Sequence, residues 1–139
     1  MDARDEDDED EEEDEEPPVM LGFAVSAKSA VALHRNHFPS KLGGKPAWLD
    51  PVFLPNQDLL QCPISGRPMN FVLQIYAAAS DEEYAFHRTL FLFISPEGSK
   101  LTRSGAVRVF RCQLPRENAY YPYEPAQANE WPRALGSTE

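Results

Sequence analysis

The chain has 139 residues, 26% of them charged, with 23 acidic against 13 basic side chains and a formal net charge of −10. This length bounds it to one domain of ordinary size; two cysteines exclude a disulfide-stapled framework, and the longest apolar runs, 71–79 (interrupted by Gln74) and 90–94, are too short for a membrane-spanning helix. The charge is lopsided: residues 1–16 hold thirteen acidic side chains against the single basic Arg4, a net of −12, whereas residues 17–139 hold ten acidic against twelve basic, a net of +2.

A run this acidic repels itself and has no apolar surface to bury, so 1–18 is expected to be a disordered acidic tail closed by Pro17-Pro18. It is the opposite of a secretory leader in composition, which points to a soluble intracellular protein. Residues 19–126 then read as the folded domain and 127–139 as a polar C-terminal tail. Within the domain, 26–33 offers a short helix with loose apolar spacing. Pro39, Pro46, Pro51 and Pro55 exclude a long helix after it, and Gly43-Gly44 supplies a turn. Trp48 and Leu49, set between prolines, are expected to plug into the core.

Three strands follow. Residues 70–76 are rich in β-branched and aromatic side chains. Residues 85–94 include Phe86, Leu90, Phe91, Leu92, Phe93 and Ile94. Residues 106–110 alternate, with Val107 and Val109 on one face and Arg108 on the other. Segments 77–84 and 95–105 connect them, and beyond Pro115 the chain becomes aromatic and proline-rich. The fold class is mainly β: a twisted antiparallel sheet domain with little helix and long proline-rich loops.

The chemistry-bearing residues are few. Cys62-Pro63-Ile64-Ser65-Gly66-Arg67-Pro68 has the outline of a zinc knuckle, C-x-x-C-G-x-P, with Ser65 in place of the second thiol. Structural zinc needs four soft ligands. Cys112 stands fifty residues on, and His34 and His37 lie in a proline-flanked stretch without an acidic neighbour. The expectation is no metal: a small buried Cys62, a hydrogen-bonding Ser65 and two surface histidines. A nucleophile would require Cys62 or Cys112 beside His87, but His87 lies on an apolar strand and reads as a packed core histidine, so no enzyme is expected. Gly43-Gly44-Lys45 lacks the first P-loop glycine, and Pro46 blocks the helix that should follow. Lys41, Lys45, Arg67, Arg88, Arg103, Arg108, Arg111 and Arg116 are spread rather than clustered. A polyanion on the same chain would compete with phosphate for them, so no direct nucleic-acid binding is expected. A tethered polyanion instead suits a basic protein partner.

The blocks Leu21-Gly22-Phe23, 38–49 (Phe-Pro-Ser-Lys-Leu-Gly-Gly-Lys-Pro-Ala-Trp-Leu), 62–77 from Cys62 to Ala77, 85–93, 107–116 and Tyr121-Pro122-Tyr123-Glu124-Pro125 occur in one order and spacing. Together they closely resemble the N-terminal part of the programmed cell death protein 2 family, which includes the yeast factor for pre-ribosomal RNA maturation. The resemblance implies a β-rich escort that captures a newly made basic protein of the small ribosomal subunit. Such an escort would act as a monomer, in cytoplasm and nucleus, without membrane contact. The alternative is a truncated general protein-interaction module with no ribosomal client.

The family's second cysteine pair after the Phe-x-Phe strand is absent, since 94–100 reads Ile-Ser-Pro-Glu-Gly-Ser-Lys. Cys112 stands where the family has a small polar residue. Cys62 is thus a remnant of a zinc site, with Ser65 in the place of its partner, and zinc is not expected. The family usually continues into further sequence, often a MYND-type finger and another β half. For partner binding the candidates are Tyr120, Tyr121 and Tyr123, with Arg111 and Arg116 beside them; the competing reading is a C-terminal segment laid across the sheet.

Overall fold

The computed structural model describes residues 21–124, so the expected acidic tail (1–18) and polar tail (127–139) lie outside the described residues. The fold is mainly β. Four strands, β1 (Lys41–Leu42), β2 (Asn70–Tyr76), β3 (His87–Ile94) and β4 (Val107–Leu114), form one antiparallel sheet in the order β1-β2-β3-β4. Each strand pairs with its neighbour in sequence, the arrangement that short connections favour.

Strand β2 has the expected bounds. β3 begins at His87 because residues Glu83–Ala85 wind into a 3-10 turn. β4 runs four residues past the predicted end: Cys112 and Leu114 continue the alternation begun by Arg108 and Phe110, and they pair with Thr89 and His87. The alternation also has the reverse sense to what valine suggests. Val107 and Val109 face outward, while Arg108 lies half-buried on the core side and donates a hydrogen bond to the Leu59 carbonyl. The predicted helix at 26–33 is absent; the chain instead makes 3-10 turns at Val31–Leu33 and Arg35–His37. Its apolar residues share no single face, and a helix that buries no stripe gains little from packing. β1 escaped prediction because two residues carry no period.

The core lies on one face of the sheet. Phe91 and Phe93 of β3 sit beneath Trp48, at ring-centroid distances of 4.6 and 6.0 Å, with Leu49, Met69 and Cys62 buried around them. Trp48 and Leu49 thus do plug into the core. A second cluster occupies the far end, where the Phe38 ring stacks on Tyr76 at 4.9 Å and on His87 at 4.6 Å and meets Tyr121 at 4.8 Å. Phe38 holds a left-handed backbone, φ 48°, which costs about 1–2 kcal/mol for a residue with a Cβ. Its aromatic contacts, each adding about 0.5–1.5 kcal/mol beyond burial, offset that strain.

Candidate functional site

The knuckle turn is intact as backbone. The Cys62 carbonyl accepts from the Gly66 N–H at 2.8 Å, and the Cys62 N–H donates to the Arg67 carbonyl at 2.8 Å. Gly66 at φ 67° makes the reversal, a conformation glycine adopts without penalty. Ser65 accepts the Arg67 N–H at 3.3 Å. From the loop after β3, Ser95 reaches the same point: the Cys62 thiol donates to its hydroxyl at 3.3 Å, and the two residues are 1% and 2% exposed. The Ser65 hydroxyl, and after it that of Ser95, pulls the Cys62 thiol down from 9.0 to about 7, with burial opposing them. A hydroxyl that turns to donate stabilises the thiolate.

His87 stands at the opposite end of β3, so the sheet separates it from Cys62 by the length of that strand. The Tyr76 hydroxyl meets its Nδ1 at 2.8 Å, which makes it the packed, hydrogen-bonded histidine expected. Cys112 lies on the same face as His87, but burial pushes its thiol up, the reverse of what a nucleophile needs. Burial, and secondarily the positive charge of Arg116, lowers the pKa of His87 below its usual 6.5. The unfolded chain therefore binds this proton more readily than the folded one. Stability is fully present above about pH 6.5 and is lost as pH falls through the depressed folded value. The melting temperature is expected to drop between about pH 7 and pH 5, before most carboxylates titrate. His87→Gln should flatten the curve in that window; an equally steep curve in the variant would place the effect elsewhere.

The five predicted partner-binding residues are not one site. Tyr121 is buried rather than exposed, and its hydroxyl donates to the Leu49 carbonyl, pinning the C-terminal segment onto the core. Tyr120 packs half-buried against the same cluster. Tyr123 is exposed and stacks on the Arg116 guanidinium at 4.0 Å, whose other neighbour is the Phe86 ring at 5.0 Å. Arg111 belongs to the other face of the sheet, opposite Leu90.

That other face carries a feature that none of the predicted site residues marks except Arg111. In register across the strands lie Leu42, Leu73, Leu92 and Val109, flanked by Ile75 and Leu90 and by Ile94 and Val107. Leu42 is 62% exposed and Val109 58%, and Ile75 and Val107 are also exposed. Leu42, Leu73 and Ile75 share a groove of about 530 Å³ with Phe23 and Val25. The signal was in the sequence: residues 90–94 are apolar at every position, the pattern of a strand covered on both sides. Covering only one side leaves an apolar patch, and such patches mark interaction surfaces.

Residues 18–128 match the family described as Programmed cell death protein 2, N-terminal domain. The chain is similar to Programmed cell death protein 2 of Mus musculus, 50% identical over 120 residues that cover 86% of this chain and 33% of that protein. Against the Bos taurus protein of the same name it is 48% identical over 108 residues, 78% of this chain and 30% of the relative. Against that of Rattus norvegicus it is 50% identical over 107 residues, covering 77% and 30%. The chain therefore spans about a third of the length of the curated relatives it matches. No solved structure matches it. The family match runs from the end of the acidic stretch past the last described strand, and by it the chain belongs to the programmed cell death protein 2 family and carries that family's N-terminal domain.

Proposed function

We infer that this protein is an escort for a basic protein of the small ribosomal subunit, acting by binding rather than catalysis, in cytoplasm and nucleus. The observation that carries this reading is an uncovered apolar sheet face on a domain tethered to a polyanion. The face around Leu92 and Val109 gives apolar area to hold a client segment out of water. Residues 1–16, at a net −12, supply charge opposite to that of a ribosomal protein and raise its local concentration at the domain. The family resemblance supplies the class of client.

Affinity purification of the full chain is the test. One basic small-subunit ribosomal protein should be enriched over bulk ribosomal proteins. The double variant Leu42→Glu/Val109→Glu should lose at least tenfold of that enrichment with little change in melting temperature, because both positions are exposed. Removing residues 1–16 should leave capture that weakens less steeply with salt. Enrichment of other proteins with no ribosomal client would favour the general interaction module. Undiminished capture by the double variant would remove the sheet face from the account.

A further inference from the structure

The family resemblance implies zinc at the knuckle, and the donors gathered there do not fit it. Around Cys62 the fold gathers one thiol and two hydroxyls, those of Ser65 and Ser95. A neutral hydroxyl is a poor zinc ligand, and structural zinc takes four thiolate or imidazole donors. Among the described residues no group of three or more histidine, cysteine, aspartate or glutamate side chains is placed to hold an ion.

What holds the place together is hydrogen bonding and close packing. The Ser95 hydroxyl accepts from Cys62 at 3.3 Å and from the Glu97 N–H at 3.2 Å, and the Ser95 N–H donates to the Ala106 carbonyl at 2.7 Å. Gly105, at φ 84°, lies so close to the knuckle that an added Cβ would come within 2.8 Å of the Pro63 ring. The turn at 62–66 and the two ends of the loop before β4 are therefore in direct contact, and Ser95 reaches Cys62 from across that contact. A metal would have joined the same two pieces of chain. Ser95 was not among the residues the sequence singled out; only the pairing of the loop with the turn reveals it.

We propose that Ser65 and Ser95 occupy two ligand positions of a metal site built around Cys62, and that, without a metal, the Ser65 hydroxyl now closes the knuckle turn while the Ser95 hydroxyl ties that turn to the β3–β4 loop. Serine and cysteine differ by one atom, so the backbone that presents the hydroxyls also suits thiolates. Two substitutions should therefore turn a hydrogen-bonded junction into a metal centre with three thiolates and one open position.

The experiment uses the full chain, kept reduced, with Co²⁺ as the spectroscopic probe. The unmodified protein, purified from zinc-supplemented culture, should carry no stoichiometric zinc, and its melting temperature should not change with a strong chelator. It should give no thiolate-to-cobalt charge-transfer band. Ser65→Cys/Ser95→Cys should take up stoichiometric Co²⁺ with that band, zinc should displace it, and adding Cys62→Ser should abolish it. Stoichiometric zinc or chelator-sensitive melting in the unmodified protein would overturn the proposal. So would a folded double variant that gives no band. Should that variant fail to fold, Ser95→Ala decides: it should lower the melting temperature equally with and without chelator, and no change would show that the hydroxyl ties nothing.

Discussion

Gln74→Leu is expected to lower stability by about 2–4 kcal/mol, a large loss for a substitution that removes a polar group from a core. Gln74 is 2% exposed in the middle of β2. Its Nε2 donates to the Pro39 carbonyl at 2.9 Å, and its Oε1 accepts the Ala47 N–H at 2.8 Å. The side chain thereby stitches both ends of the proline-rich loop to the sheet, and that loop carries Trp48 and Leu49 over Phe91. Leucine fills a similar volume but leaves the Pro39 carbonyl and the Ala47 N–H without their partner. Each such buried group costs about 1–3 kcal/mol. The denaturation midpoint should fall, and tryptophan fluorescence should shift to the red at lower denaturant as the loop lifts. An unchanged midpoint would show that proline geometry alone holds the loop.

Phe91→Ala should cost more, about 3–5 kcal/mol, through lost burial and the cavity left behind. Phe91 is fully buried, between Gln74 and Phe110 in register and beneath the Trp48 ring. A domain of this size holds only about 5–15 kcal/mol in total. The variant therefore lies near the edge of folding, whereas Gln74→Leu remains folded. Its neighbour Leu92 is the informative comparison. It points to the opposite, half-open face, so Leu92→Ala should cost well under half as much. Urea denaturation of the pair measures this difference directly. Equal losses would mean that the second face is as well covered as the first.

The two faces of one sheet thus divide the work. One is packed by the loops at 38–50 and 115–124 and confers stability; the other leaves Leu42 and Val109 exposed, with Leu92 half-buried in the same row. The escort proposed above would use this asymmetry, holding a client by surface that the fold does not require for itself.

Local physics made much of the chain legible in advance. The β-branched and aromatic content of β2, the apolar run in β3, prolines that forbid helix between 38 and 56, and the segregation of charge into residues 1–16 are all properties of short windows. The ordered set of blocks from Leu21 to Pro125 was enough to identify the family, because side-chain types at fixed spacings survive without reference to their contacts. The sense of β4 was not legible. Valine and arginine alternate there equally well in either orientation, and only pairing with β3 turned Phe110, Cys112 and Leu114 inward. The fate of the tyrosines was also beyond reach: Tyr121 and Tyr123 stand two apart in one proline-rich stretch, yet one pins Leu49 and the other stacks on Arg116 in the open. Ser95 looked like an ordinary loop residue until the sheet brought it, 33 positions along the chain, against Cys62. Sequence determined where the three long strands would lie and where charge would gather, since those depend on neighbours in the chain. Tertiary structure alone decided which face was covered and which distant hydroxyl met the thiol, since those depend on partners that the strand pairing supplies.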